Sequence, residues 1–320
     1  MGELYGRVMP SSKNQVNEKT EALKKQIQTV QSHVSSVEKK IGGMKKDAKS
    51  GQSELKNEIV HQQQILKELE NRVKDIEKCL GSMMENFKTV DKQERAILRA
   101  SNEAVWAEVF HDAILESTWL KRKQFYPGRW AAGYPFLYVL YRTLNEMHPM
   151  NILELGLGQT TRMIGQYAEY EKDCRHFVVE HDQDWIEIFN RDFHLSENSE
   201  VIKLELGKKS FYETEPTTVY MGFLDEFRGK KFDLISIDAP FGGNTLTYSR
   251  MDVLQLLPEC LNKDFVILLD DYNREAERNM IEILKTILKN NAISFCTGVY
   301  RGNKDTFMVT SESLKFLCTM

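Results

Sequence analysis

A glycine-containing turn with an acidic residue just before it is the first feature of this sequence that could carry chemistry. Glu154 stands two residues before Gly156, and Gly158 follows at the point where a helical pattern begins with Thr160. Glycines at a strand-to-helix turn let the backbone bend and approach a ligand closely. A dinucleotide-binding turn has a third glycine three residues after the second, where this sequence has Thr161. The pattern predicts a cofactor site formed by Glu154, Gly156, Gly158 and Thr160 that need not hold a pyrophosphate.

A second acidic residue follows the glycine turn at a spacing of about twenty residues. Glu180 ends the apolar run FVVE, and Asp182 comes two residues later. At the end of the second strand of a nucleotide-binding sheet, an acidic side chain can accept hydrogen bonds from ribose hydroxyls. The sequence favours this role for Glu180, and Asp182 is the neighbour that could substitute. A solvated loop carboxylate is the alternative.

Three more acids stand where two further apolar runs end. Asp238 ends the run FDLISID, and Asp270 with Asp271 follows FVILL. Because the carboxyl ends of adjacent parallel strands lie side by side, we expect these three carboxylates to converge. Oxygen ligands in this number suit Mg²⁺, Mn²⁺ or Ca²⁺, and such a cation could hold a substrate hydroxyl and lower its pKa. The alternative is that Asp238 contacts cofactor or substrate without a metal, while Asp270 or Asp271 caps the next helix.

The segment after Asp238 is expected to cover this site. Gly242 and Gly243 predict a flexible lid that closes over a substrate, and Arg250 beyond them is a candidate contact for an acidic or sugar substrate. The alternative for this stretch is an ordinary helix start capped by Ser249. No serine–histidine–acid or cysteine–histidine pattern supports covalent catalysis.

Alternating strands and helices must position these groups. The apolar runs predict strands at 151–155, 176–180, 201–206, 232–237, 265–269, 294–300 and 306–310. Helices are predicted between them at 160–170, 184–193, 251–261 and 274–290. The last two strands are joined by a short turn containing Gly302, so they form a hairpin. This order predicts an α/β fold: a Rossmann-like, seven-stranded, mostly parallel sheet with helices on both faces.

This sheet, the acid before the Gly-x-Gly turn and the acids at the strand ends resemble the class I S-adenosylmethionine (SAM)-dependent methyltransferases. The resemblance covers about residues 150–300, and the run Asp270-Asp271-Tyr272 is similar to the macrocin-type, metal-dependent O-methyltransferases. It implies SAM as cofactor, with Glu154 at the methionine amino group. It also implies methyl transfer to a hydroxyl of a small molecule or sugar precursor, with the catalytic acids Asp238, Asp270 and Asp271. The lysine base that catechol-type enzymes carry three residues past the first acid is replaced here by Phe241.

The N-terminal third repeats apolar residues at intervals of four and three, without proline from Thr20 to Arg99. One stripe consists of Ile27, Val34, Ile41, Ala48 and Leu55, and a second of Ile59, Leu66, Val73, Leu80 and Phe87; partner positions include Val30, Val37, Leu69, Ile76, Met83, Val90 and Ile97. The step from Leu55 to Ile59 is a stutter. Sustained heptads favour a coiled coil that joins copies of the chain as a dimer or trimer. An amphipathic helix lying on the globular domain is the alternative.

Composition limits the classes of partner and the compartment. A net charge of −4 and a pI of about 6.1 disfavour nucleic-acid binding, and no apolar run approaches the ~20 residues of a transmembrane helix. Five scattered cysteines predict reduced thiols in the cytoplasm, with attachment to the periphery of a membrane complex left open. We expect a flexible segment at 1–19, a coiled coil at 20–99, a helical connector or lid at 100–149 and a SAM-binding methyltransferase domain at 150–320. The alternative function is a coiled-coil scaffold with a non-catalytic SAM-binding or Rossmann-like module.

Overall fold

The computed structural model describes residues 10–47, 54–128, 130–211, 215–242 and 247–319. The chain forms two units, which divide between Glu94 and Arg95. The predicted lid beyond Gly242, and the first nine residues of the segment expected to be flexible, lie outside the described residues. Among those that are described, none of the helices combines the length and the apolar character needed to cross a membrane.

The first unit is built from two helices that carry the heptad pattern. α1 is Pro10–Asp47 and α2 is Glu54–Ile114, whose residues from Arg95 onward belong to the second unit. Both helices lie in the region where the heptads predict helix, and α2 continues through the stutter between Leu55 and Ile59. Side chains of both helices line a cavity of about 570 Å³, so α1 and α2 lie side by side in one chain. The lining includes the heptad residues Val30, Val34, Val37, Leu66 and Leu69.

The second unit alternates strands and helices as predicted. Its strands are β1 (Asn151–Leu155), β2 (Arg175–Glu180), β3 (Ser199–Lys203), β4 (Leu206–Lys209), β5 (Thr217–Tyr220), β6 (Phe232–Ile237), β7 (Leu261–Leu269), β8 (Phe295–Arg301) and β9 (Asp305–Ser311). Its further helices are α3 (Tyr134–Met147), α4 (Gln159–Tyr170), α5 (Gln183–Asp192), α6 (Phe223–Phe227) and α7 (Glu275–Asn290), with 3₁₀ turns at Asp252–Gln255 and Glu312–Cys318.

Seven of these strands form one sheet in the order β3-β2-β1-β6-β7-β9-β8. β9 runs antiparallel to both of its neighbours, and the remaining pairings are parallel. The prediction of a Rossmann-like, mostly parallel, seven-stranded sheet that ends in a hairpin is confirmed. The predicted third strand ends earlier than expected, at Lys203, and β4 pairs with β5 in a separate two-stranded sheet.

Helices cover both faces of the sheet because successive strand residues point to opposite sides. Leu153, Ile235 and Ile267 belong to a core that includes Met280 and Leu284 of α7. The alternate residues Ile152, Leu234 and Val266 belong to the other core, with side chains of α3 and α4. Burial on both faces explains why these strands read as continuous apolar runs.

The predicted helix at 251–261 is wrong in its type and length. The structure has a single 3₁₀ turn, Asp252–Gln255, and β7 begins at Leu261. Pro258 lies inside the predicted segment, where its ring and its missing N–H are incompatible with a helix interior. The chain here is a buried connector rather than a helix.

Candidate functional site

The glycine turn after β1 lies between the ends of β2 and β6, the two neighbours of β1 in the sheet. The Gly156 N–H donates to Val179 O over 2.9 Å, and the Asp238 N–H donates to Leu155 O over 3.0 Å. Gly156 has φ +106°, and a Cβ at this position would lie 2.9 Å from Ala239 Cβ. Only glycine fits this left-handed conformation at such close approach. Gly156 is therefore explained by the fold of the turn itself.

Gly158, by contrast, faces open space. A Cβ built at Gly158 would have no atom within 4 Å. Gly158 is the N-cap of α4, and its N–H donates to Thr161 Oγ1 over 2.8 Å. Thr160 lies in the first turn of that helix, which carries the partial positive charge of a helix N-terminus. A ligand can therefore approach the backbone at Gly158.

Glu154 is buried and has one carboxylate oxygen unused. His176 Nε2 lies 3.0 Å from Glu154 Oε2, and His176 Nδ1 lies 3.1 Å from Ser199 Oγ. These contacts fix the carboxylate across β1, β2 and β3. Glu154 Oε1 is buried without a hydrogen-bond partner among the described residues. Because a buried acceptor without a donor is costly, this oxygen fits a donor on a ligand, such as the ammonium group of SAM.

The serine–histidine–acid chain formed by Ser199, His176 and Glu154 was missed in the sequence. Its members stand on three different strands, 22 and 23 residues apart. Strand register brings them together, since His176 is the partner of both Ile152 and Ser199. No local motif could have signalled this contact.

Glu180 ties the tip of β2 to the glycine turn. Its Oε1 accepts hydrogen bonds from the His181 and Asp182 N–H groups over 2.6 and 3.0 Å, and its Oε2 accepts from the Leu157 N–H over 3.2 Å. Each carboxylate oxygen has two lone pairs, so Oε2 retains acceptor capacity for a hydroxyl. Asp182 accepts from the Trp185 N–H as the N-cap of α5. Glu180 is therefore better placed for a ligand than Asp182.

The three predicted acids of the neighbouring strands do converge. One carboxylate oxygen from each of Asp238, Asp270 and Asp271 lies within 4.8 Å of the other two. The tips of β6 and β7 hold them, and the Asp270 N–H donates to Ile237 O over 3.0 Å. Asp270 and Asp271 are buried, whereas the Asp238 side chain is 17% exposed.

Two cationic side chains already occupy the space between these acids. Arg250 Nη2 donates to Asp271 Oδ2 over 2.8 Å and to Asp238 Oδ1 over 3.3 Å. Lys304 Nζ donates to Asp270 Oδ2 over 3.0 Å. Arg250 is thus buried among acids rather than exposed toward a substrate. Lys304 comes from the β8–β9 turn, far along the chain, and the sequence offered no signal for it.

Burial and charge shift the pKa values of these groups. Burial, followed by the neighbouring Asp270 carboxylate, raises the pKa of Asp238 well above its ordinary value, although Arg250 and Lys304 oppose the change. Burial also raises the pKa of Asp270, against the opposing charge of Lys304. Burial alone would lower the pKa of Lys304, but the surrounding acids raise it overall. Lys304 therefore stays protonated.

The residues at this cluster do not fit a divalent cation as they stand. Arg274 Nη1 adds a third positive group, 3.0 Å from Asp271 Oδ2. A divalent ion would have to enter beside Arg250 and Lys304, and like charges in a buried site repel strongly. The acids that the sequence offers as metal ligands thus have ammonium and guanidinium partners instead. Metal binding by Asp238, Asp270 and Asp271 stays a prediction, and these contacts weigh against it.

Comparisons with known proteins give fold similarities only. No protein-family model and no curated protein matches the chain. The SAH-bound methyltransferase of Podospora anserina aligns over 70% of this chain and 96% of its own, with 11% identity and a TM-score of 0.39. The O-methyltransferase of Bacillus cereus in complex with SAH aligns over 70% of this chain and 97% of its own, with 16% identity and a TM-score of 0.36. A methyltransferase of Geobacter sulfurreducens aligns over 64% of this chain and 88% of its own, with 16% identity and a TM-score of 0.37. At such low identities and TM-scores, these similarities assign neither an activity nor a substrate.

Proposed function

We propose that this chain is a SAM-dependent O-methyltransferase that acts on a hydroxylated small molecule or sugar precursor. The observation that carries the proposal is the unpartnered, buried Glu154 Oε1 beside the open backbone at Gly158. A buried carboxylate oxygen attracts a cationic donor, and the open glycine admits the ligand that carries it.

Each residue of the proposed cofactor site has a separate task. Glu154 accepts from the methionine ammonium, and His176 keeps its carboxylate in place. Gly158 leaves the backbone accessible at the start of α4, and Thr160 lies buried in the first turn of that helix. Glu180 accepts from the ribose hydroxyls. When bound, SAM supplies a methyl group on a positively charged sulfur that an acceptor oxygen can attack.

Asp238 is the acid best placed to meet the acceptor. It is the partly exposed member of the cluster, whereas Asp270 and Asp271 are buried. Its carboxylate can accept a hydrogen bond from the acceptor hydroxyl and so orient the oxygen. The chain contributes mainly alignment and exclusion of water, since bringing two reactants into line lowers the barrier substantially.

An exposed aromatic pair next to Asp238 supports an acceptor with an apolar ring face. The Trp130 and Phe241 rings lie 5.4 Å apart, and the two side chains are 73% and 47% exposed. Large exposed aromatic side chains commonly mark binding surfaces. The two rings are tilted by 51° to one another, and we expect an apolar face, such as the C–H face of a sugar, to pack against them.

Calorimetric titration of SAM into the full chain tests the proposal. The wild type is expected to bind SAM saturably, and Glu154→Ala is expected to lose binding because the ammonium partner is gone. Glu200→Ala, an exposed acid on β3, is the matched control and should bind as the wild type does. A folded wild type that gives neither heat nor a thermal shift with SAM would refute the enzyme and favour the scaffold.

We further propose that the helical region joins copies of the chain. Ile76, Met83 and Val90 follow one another at heptad spacing on α2 and are 40%, 56% and 57% exposed. Apolar stripes of this kind are stabilised by a partner helix, and a second copy supplies an identical one. Sedimentation equilibrium should show a dimer or trimer for the wild type and a smaller species for Met83→Glu/Val90→Glu. Lys88→Glu, on the same helix, controls for charge; a monomeric wild type would contradict the proposal.

A further inference from the structure

The acid cluster and its cations point to a site that works without a metal. We infer that Arg250 and Lys304 occupy the space between these acids, and supply the positive charge, for which the sequence predicts a divalent cation. The inference rests on the proposed function for the presence of an acceptor, but it concerns the acids Asp238, Asp270 and Asp271 themselves. It predicts that these carboxylates bind no divalent ion while both cations are present.

Arg250 is the centre of the cluster. Its guanidinium contacts Asp238 and Asp271 and also donates through Nη1 to Asp270 O over 2.9 Å. The side chain is 2% exposed, and the residue has φ +55°. A non-glycine residue seldom takes this left-handed conformation, so the surrounding structure holds the backbone in a shape that aims the guanidinium at the acids. A buried arginine held in this way is a fixed part of the site.

Lys304 is also fixed, because the end of α2 clamps the turn that carries it. Arg99 Nη1 donates to Gly302 O over 3.1 Å and to Asp305 Oδ1 over 3.0 Å. Glu103 Oε2 accepts from the Asn303 N–H over 2.9 Å. These contacts hold the residues on both sides of Lys304. Its ammonium group is therefore a positioned cation rather than a mobile surface charge.

The existing ion pairs explain why a divalent ion is excluded. The carboxylates of Asp238, Asp270, Asp271 and the buried Glu277 meet the positive groups of Arg250, Lys304 and Arg274 at 2.8 to 3.9 Å. Adding two positive charges would require one of these groups to leave, and a buried cation separated from its partners is strongly unfavourable. A divalent ion gains access only when one of the cations is removed.

Uptake of Mn²⁺ by the full chain tests the inference without any methyl transfer. Protein treated with EDTA and then dialysed is titrated with Mn²⁺, and the free ion is followed by electron paramagnetic resonance. The wild type is expected to leave the free-ion signal unchanged. Arg250→Met and Lys304→Met are each expected to take up one Mn²⁺ per chain. Lys315→Met, which removes an exposed lysine, is the matched control and should behave as the wild type does.

The outcomes separate the inference from the proposed function. Uptake of one Mn²⁺ by the wild type, lost in Asp238→Asn, would overturn the inference. It would also be overturned if neither variant gained Mn²⁺ while circular dichroism showed both to be folded. Should Arg250→Met fail to fold, the more exposed Lys304→Met decides. A parallel SAM titration tests the proposed function alone. Absence of SAM binding by the wild type refutes the proposed function, whereas uptake of Mn²⁺ by the wild type refutes the inference.

Discussion

The two halves of the sheet's carboxyl edge hold their acids in opposite ways. At the tips of β1 and β2, Glu154 and Glu180 are held by a histidine ring and by backbone N–H groups. At the tips of β6 and β7, Asp238, Asp270 and Asp271 are held by guanidinium and ammonium groups. Carboxylates at the same edge of the sheet therefore have two different kinds of partner.

The kind of partner decides what each half can bind. Backbone N–H groups orient the Glu180 carboxylate without cancelling its charge, so it remains attractive to hydroxyls. Glu154 has the His176 ring on one oxygen and no partner on the other among the described residues, so that second oxygen remains available to an ammonium group. Cationic partners cancel the charge, so the aspartates suit a neutral hydroxyl better than a metal ion. Asp252, a third case, is buried and has no cation in direct contact among the described residues; the Tyr220 N–H, its own backbone N–H and the charge of Lys209 favour its ionised form.

Removing the central cation should have the largest effect. Arg250→Met leaves Asp238, Asp271 and the buried Glu277 without their shared partner, and breaking a buried ion pair in this way costs about 3–5 kcal/mol. Urea denaturation measures the loss. Arg228→Met, which breaks an exposed pair with Asp225, is the control and should cost less than about 1 kcal/mol. Equal costs in the two variants would show that the cluster is not held by its cations.

The pH dependence of stability should reveal Asp252, a buried acid whose partners do not compensate for its burial. Burial raises the pKa of Asp252 to about 7, although the Tyr220 N–H opposes the change. The folded state therefore binds this proton more tightly than the unfolded chain, and stability falls as the pH rises from about 4 to about 7. The loss amounts to at most about 4 kcal/mol.

Asp252→Asn removes that loss, because an amide does not ionise. The variant is expected to be more stable than the wild type at pH 8 and similar to it at pH 4, as measured by urea denaturation across this range. Parallel pH profiles for the two proteins would mean that Asp252 does not titrate as the structure indicates.

The two glycines of the cofactor turn should separate stability from binding. Gly156→Ala forces a left-handed φ on alanine and a clash with Ala239, and is expected to cost about 2 kcal/mol of unfolding free energy. Gly158→Ala meets no atom in the folded chain, so it should stay folded while SAM binding weakens. Urea denaturation and SAM calorimetry check both. If Gly158→Ala bound SAM normally, the open space beside it would not belong to the cofactor site.

The smallest expected effect is at the ribose acid. Glu180→Gln keeps one accepting oxygen, replaces the other by an NH₂ donor and removes the charge. The ribose hydroxyls lose an acceptor, so SAM binding should weaken by about 1 kcal/mol. Asp182→Asn retains the oxygen that caps α5 and is expected to bind SAM as the wild type does. A larger loss of SAM binding in Asp182→Asn than in Glu180→Gln would show that Asp182, and not Glu180, contacts the ribose.

Local patterns in the sequence were enough for most of the fold and for part of the site. Apolar runs marked the buried strands, because a strand covered on both faces has little room for polar residues. Acids at the ends of those runs were correctly placed at the sheet edge, since strand ends set their position. One exception is the helix predicted at 251–261: this segment contains Pro258, which does not fit a helix interior.

The partners of those acids depended on tertiary structure. Lys304 reaches Asp270 only because the β8–β9 turn is held by Arg99 and Glu103 on α2. His176 reaches Glu154 only through the register of neighbouring strands.

The sequence by itself determined the seven strands of the main sheet, the glycine turn and the acids at the strand ends, since these follow from spacing along the chain. The small sheet of β4 and β5 was not predicted. Only the tertiary structure decided whether each acid keeps its charge for a ligand or gives it to a cation of the protein. It also decided that α1 lies beside α2 in one chain. These contacts join segments distant in sequence, and their energies depend on burial and distance, which spacing along the chain does not encode.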